Sequence, residues 1–371
     1  MIASAPAMAN AHSHAFQRAL RGRVERLSPD RHDDFWAWRT EMFALAGALD
    51  PPRMRALAEA TYREMAGAGY GVVGEFHYVH HQPDGAPYAD PNEMAHAVAE
   101  AARAAELPIV LLPAAYHRNG WDRGDQPPLP GQRRFCDADV ETFLARVDQL
   151  RAWATPLEGV DVGVAAHSVR AVPSSWLEAI AQYADRQGLV IHVHAQEQRR
   201  ELEECYAEHG CSPIELLGRT GFLGPRTSVI HGIHVSERDI EILSRTATTV
   251  VSCPTTEGNL GDGYLPAMRY REAGVPLAIG SDSQVRIDPF EEARELETLS
   301  RRERQLRAGL LASVGDLWGE LCRNGYRSLG TAQSLEIEVD LEHPDLRDID
   351  PADLLPALVT CASAGVVRRR A

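Results

Sequence analysis

The segment "LVIHVHA", residues 189–195, is apolar for three residues and then places histidines at 192 and 194. It is too short for a helix and apolar on both faces, which marks a buried parallel strand turning polar at its carboxyl end. Seven more segments read the same way: the one entering His12 in "NAHSHAFQRALRG" (10–22), "YGVVGEFHY" (70–78), "PIVLLPAAY" (108–116), "DVGVAAHS" (161–168), "SVIHGIH" (228–234), "TTVVSCP" (248–254) and "PLAIGSD" (276–282). Helical periodicity is expected between them at 51–67, 92–105, 137–153, 174–187, 198–217, 236–245 and 264–273, and after the last at 289–312. Eight such units in 371 residues predict an α/β fold, a (β/α)8 TIM barrel whose strand carboxyl ends gather at one mouth.

Those ends deliver His12 and His14, Glu75 and His77, Tyr116 and His117, His167, His192 and His194, His231 and His234, Cys253, and Asp282. One strand-end histidine is explained by packing or capping. Histidines at six of eight ends point instead to a shared site.

The net charge is −15, with basic runs no longer than "RRER" (301–304) and "RRR" (368–370), so nucleic acid is not an expected partner. The chain shows neither a membrane-length apolar run nor a secretory signal, so a cytoplasmic location without membrane attachment is expected. The six cysteines form no Cys-x-x-Cys pair and read as reduced thiols. "DGAPYADPNE" (84–93) and "RGDQPPLPGQRRF" (123–135) read as long loops on the active-site side, either of which could be a lid. Leu317, Leu321 and Tyr326 or Leu329 form the apolar stripe of a last helix within 314–330.

A hydrolytic metal site needs a few nitrogen and oxygen ligands and one open position. His12 and His14, two residues apart on one strand, point to the same face. With a histidine from the middle strands and Asp282 they would supply such a set, and zinc would bring the pKa of water down to about 7. Asp282 as ligand and base together, or Glu197 three residues after His194, are the candidate proton carriers.

"NAHSHAFQRALRG", "GEFHYVHH", "AAHSVRAV", "HVHAQEQ", "VIHGIHV", "PTTEGNLGDG" and "IGSDSQVR" together resemble the amidohydrolase superfamily and, within it, the formimidoylglutamate deiminases, from about residue 8 to about 330. The resemblance implies zinc-dependent hydrolysis of N-formimidoyl-L-glutamate to N-formyl-L-glutamate and ammonia, in histidine degradation, by attack of metal-bound hydroxide on the formimidoyl carbon. It implies His12, His14, His194 and Asp282 as ligands of one divalent metal per chain, zinc being the expected ion. His231 would face the reacting carbon and Glu197 would pass a proton to the departing nitrogen, with Asp282 catalytic beside them. Gln17, Tyr78, His167, Arg170 and Arg39 would hold the glutamate portion. Arg170, three residues past His167, suits bidentate bonding to a carboxylate, so the expected partner is a small anionic molecule. His192 is the main rival to His194 as ligand; His32, His80, His81, His96, His117, His209, His234 and His343 are read as residues outside the site, mostly on the surface or in loops. Two other readings are an amidohydrolase deaminase acting on another amidine or a nucleobase, and a degenerate homologue that binds without catalysis.

The resemblance also implies a small β-sandwich domain built from residues before the first barrel strand and after the last helix. Here 1–330 is expected to be barrel and 331–371 a C-terminal remnant of that domain, with its N-terminal half absent. A mis-set start, loss of the domain, or a homodimer covering the exposed strand edges would each account for this.

Overall fold

Short runs of valine, isoleucine and alanine bounded by turn residues form the strands, and segments with a helical apolar stripe pack outside them. The structure, a computed structural model, describes residues 1–25, 35–120, 127–307, 309–314, 316–333 and 335–370. His32 and positions 123–126 of the second proline-rich loop lie outside them.

In chain order the strands are β1 (Ile2–Pro6), β2 (Met8–Ser13), β3 (Tyr70–His77), β4 (Ile109–Ala115), β5 (Val160–Val162), β6 (Val164–Ser168), β7 (Ile191–Ala195), β8 (Thr227–His231), β9 (Thr249–Ser252), β10 (Leu277–Ile279), β11 (Glu336–Asp340) and β12 (Val367–Arg370). Strands β2 to β10 pair in parallel in the order β2-β3-β4-β6-β7-β8-β9-β10, with β5 on the first half of β4. The predicted strand at 161–168 is thus split around Gly163, where a Cβ would lie 2.7 Å from Leu112 Cδ2 and 2.8 Å from Val190 Cγ2. The barrel closes at β10 and β2 through a bridge between Ser13 and Asp282. Asp282 N donates to His12 O and His14 N donates to Asp282 O, each at 3.0 Å. This is the (β/α)8 barrel expected from the sequence.

The helices follow the predicted periodicity with several differences, among them two short helices, Pro254–Leu260 and Leu354–Thr360, that the periodicity does not predict. The expected helix 198–217 is two, Arg199–His209 and Pro213–Arg219, because Ser212 and Glu215 form a capping box that starts a new helix at Pro213. The expected helix 289–312 stops at Arg304, and a short second piece runs Leu310–Val314. A helix not expected from the sequence, Phe35–Gly47, lies across the barrel mouth. At the opposite end the helix Leu317–Ser328 caps the barrel: Leu317, Leu321, Tyr326 and Leu329 are buried, Trp318 Nε1 donates to Pro6 O (2.9 Å) and Asn324 Nδ2 to Leu277 O (2.9 Å).

A separate antiparallel sheet has the order β1-β11-β12, with Ile2 opposite Asp340 and Pro6 opposite Glu336. One of its strands therefore precedes the barrel and two follow it, so the division expected at residue 330 runs through a sheet that Ile2–Pro6 shares with the tail. The alternating "EIEVD" of β11 supplies the register that the short "IASAP" segment joins, which the amino-terminal sequence alone does not reveal. No helix among the described residues is long and apolar enough to cross a membrane. The six cysteines are free.

Candidate metal centre and active site

Strand pleat decides which histidines meet. His12 on β2, His14 just past it and His194 on β7 all face inward at the mouth, and their ligand-capable nitrogens lie within 4.8 Å of one another. His12 Nε2 is 3.1 Å from His194 Nε2. Asp282, after β10, brings Oδ1 to 3.4 Å from His12 Nε2 and 3.5 Å from His14 Nε2. His14 Nδ1 donates to Phe76 O (2.8 Å) and His194 Nδ1 to His167 O (2.9 Å), which leaves both Nε2 lone pairs aimed at the same point. Burial lowers the pKa of all three imidazoles, that of His12 to about 3, so they are neutral. Two converging neutral nitrogens at 3.1 Å repel unless a cation or a proton lies between them. The donor set of three imidazoles and a carboxylate fits a divalent metal with an open position.

Three residues take left-handed backbone conformations around this point: Gln196 (φ +58°), His231 (φ +70°) and Asp282 (φ +46°). Such non-glycine strain is kept only where the surrounding structure enforces it. His231 Nε2 lies 3.5 Å from Glu197 Oε1 and 3.8 Å from Asp282 Oδ2, while His231 Nδ1 lies 3.3 Å from Glu257 Oε1. Burial opposes protonation of His231, but Glu197, Glu257 and Asp282 outweigh it and push its pKa up to about 10. Burial, with Asp282 and Glu201 nearby, raises Glu197 to about 7 against the pull of His231. For Asp282 burial works upward, but its hydrogen bond to His12 and its setting among imidazoles, the cationic His231 included, carry its pKa well below the usual carboxylate range.

The cavity above this cluster is lined by His14, Gln17, Arg39, Tyr78, His167, Arg170, His194, Glu197, His231 and Asp282, so every residue given a metal, catalytic or substrate role from the sequence borders it except His12, which lies buried beneath, while the strand-end residues Glu75, His77, His117, His192, His234 and Cys253 do not. Gln17 Nε2 donates to Tyr78 Oη (2.9 Å). The helix Phe35–Gly47 closes one side with Phe35, Trp38, Arg39, Met42 and Phe43. Neither Arg39 nor Arg170 is ion-paired among the described residues; their guanidinium carbons lie 5.5 and 5.6 Å from the Trp36 ring centre. Of the two loops read as lids, the second supplies Phe135 to the wall, while no residue of 84–93 reaches it.

His192 points inward like His194 but lies one layer deeper, where its Nε2 donates to Ser328 O (2.9 Å). His80 and His81, read as lying outside the site, sit in the loop after β3 and are buried there: Arg146 donates to His80 Nδ1 (3.2 Å), and His81 Nε2 lies 3.3 Å from Asp137, itself paired with Arg146 at 2.8 Å. They sit apart from the cavity, in a polar cluster under the first loop.

Sequence reading gave no role to Glu257, Glu201 or Tyr116. Glu257 is anchored by Cys253 N (2.7 Å) and Ser252 Oγ (2.8 Å) and so holds its carboxylate against His231. Its signal was a lone acid in the otherwise neutral start of "PTTEGNLGDG". Glu201 lines the cavity and accepts from Glu197 N (3.2 Å). Asp262, after the helix Pro254–Leu260, is buried and accepts from Gln198 Nε2.

Comparison with known proteins places this geometry. The amidohydrolase family profile matches residues 4–332. The chain is 39% identical to a formimidoylglutamate deiminase from Pseudomonas aeruginosa over 294 residues, 79% of this chain and 63% of that protein. It is 26% identical to a 5-methylthioadenosine/S-adenosylhomocysteine deaminase from Haloarcula marismortui over 299 residues, 80% of this chain and 62% of the relative. The chain thus spans less than two thirds of the length of these curated relatives. A crystal structure of an amidohydrolase from Brucella melitensis superposes with a TM-score of 0.90 and 33% identity, over 99% of this chain and 84% of that one.

Proposed function

The chain belongs to the amidohydrolase family, and on that basis we propose that it is a metal-dependent hydrolase of a linear amidine, converting N-formimidoyl-L-glutamate to N-formyl-L-glutamate and ammonia. One observation carries the substrate class: two guanidinium groups, Arg39 and Arg170, border the same cavity as the imidazole and carboxylate cluster, neither of them ion-paired among the described residues. A site that commits two desolvated arginines to one small cavity suits a dicarboxylate better than a neutral base.

His12, His14, His194 and Asp282 would hold one divalent metal, with zinc the ion their nitrogen and oxygen donors suit. Bound there, the metal would act as a Lewis acid and make water nucleophilic at neutral pH. The chain's own groups handle the protons. Adding water to the formimidoyl carbon and expelling ammonia moves both protons of the water from the attacking oxygen to the leaving nitrogen. Glu197, with a pKa near 7 and buried beside the cluster, takes the two protons in turn and returns each to that nitrogen. His231, kept as an imidazolium by Glu197 and Glu257, cannot serve as the base; its Nε2–H donates toward charge developing at the reacting centre. Gln17, Tyr78, His167, Arg39 and Arg170 orient the glutamate portion. In this reading the small sheet of β1, β11 and β12 is the remnant of a flanking β domain.

The test is ammonia release from N-formimidoyl-L-glutamate with metal content measured on the same sample. Release that stops on chelation and returns with zinc supports the proposal. Folded, metal-loaded protein that releases ammonia from a purine but not from this amidine rejects it.

A further inference from the structure

Tyr116 directly follows β4 and is buried, with its ring edge-on to His167 at 4.7 Å between centres. It lines the cavity. Its phenolic oxygen accepts two hydrogen bonds, from Gln132 Nε2 at 2.7 Å and from Arg39 Nη2 at 3.3 Å. Both donors are N–H groups with no lone pair to offer in return. A phenol oxygen has two acceptor positions and one proton, so the acceptor side of Tyr116 is filled while its O–H has no acceptor among the described residues. A buried donor without an acceptor is costly, and the remaining direction for this one is the cavity.

Gln132 is itself fixed, since its Oε1 accepts from Leu129 N (2.9 Å). Arg39 stands over the Phe43 ring at 4.8 Å. The phenol is therefore held between an anchored amide and an anchored guanidinium, and its proton is left for a ligand beside the N–H groups of Arg39 that Tyr116 does not use. Resting on the dicarboxylate reading above, we propose that Tyr116 is a substrate-binding residue that donates its O–H to one of the two substrate carboxylates, the same carboxylate that Arg39 contacts. The pair makes a charge-assisted clamp in which the guanidinium supplies charge and the phenol supplies direction.

Tyr116→Phe removes the oxygen and leaves the ring. With N-formimidoyl-L-glutamate it is expected to raise KM about 10- to 100-fold while kcat stays within about 3-fold. Two amidines, one lacking the α and one the γ carboxylate, locate the contact: with one of them wild type and Tyr116→Phe should perform alike. Gln132→Leu separates binding from bracing, because it removes a bond to Tyr116 but keeps the O–H. If Tyr116 only ties Gln132 to Arg39, Gln132→Leu reproduces the loss and the proposal falls; an unchanged KM in Tyr116→Phe also overturns it. Calorimetry with N-carbamoyl-L-glutamate, which has both carboxylates but a urea in place of the amidine, is independent of turnover. Wild type that binds it at least 10-fold more tightly than Tyr116→Phe supports the subsite even where no ammonia is released, which isolates failure of the reaction. Wild type that does not bind it overturns the subsite.

Discussion

Asp282→Asn preserves volume but removes the charge that two buried imidazoles share, at 3.4 and 3.5 Å. Turnover should drop by about 10³-fold or more, and near-normal kcat would remove Asp282 from the chemistry. Arg170→Met should act differently: metal content stays at the wild-type level while kcat/KM falls by about 10²-fold, as expected for a lost charged hydrogen bond to substrate. With the role proposed for it, Glu197 should set the acid side of the pH profile. Its ordinary pKa is raised to about 7, and the neutral acid cannot accept a proton, so kcat/KM should rise with pH through about 7 instead of near 4.5. Glu197→Gln should lose that limb together with about 10²- to 10⁴-fold of the rate. A profile already flat at pH 5 would assign the proton transfer elsewhere.

The seam between β10 and β2 explains why the site needs glycine at position 280. A Cβ on Gly280 would lie 2.7 Å from His12 O and 2.8 Å from His12 N, both backbone atoms. Gly280→Ala must push the strands apart, at a cost of about 1–3 kcal/mol, and should reduce metal content more than helical content by circular dichroism. The same strands show what sequence can and cannot reveal. Their order and polar carboxyl ends were readable because a two-residue period and an apolar run are local properties. Choosing between His192 and His194 was harder, since the period puts both inside the barrel and only depth, set by the helix capping the far end, separates them. Helix Phe35–Gly47 escaped because its aromatic residues face the cavity rather than forming a stripe against the barrel wall. Glu257 and Tyr116 were visible as residues but not as participants, because their partners, His231, Arg39 and Gln132, come from distant parts of the chain.

For the molecule as a whole, a metal that bound only the folded barrel would add stability by mass action, about 2.7 kcal/mol at 100 times its dissociation constant. Chelation should therefore lower Tm by several degrees and readdition restore it; an unchanged Tm in a sample shown to lose metal would mean that the donor set does not couple to folding. That coupling follows from where the ligands lie. His12 and His14 are among the first residues made and Asp282 is near the end of the barrel, so the four donors cannot meet until the last strand has closed against the first. On the proposed reading, a chain still emerging from the ribosome would carry His12 and His14 but not yet the whole donor set. Under the proposed function, closure of the seam would act as a built-in safeguard in time: the chain would acquire its reactive chemistry only after it has finished becoming a barrel.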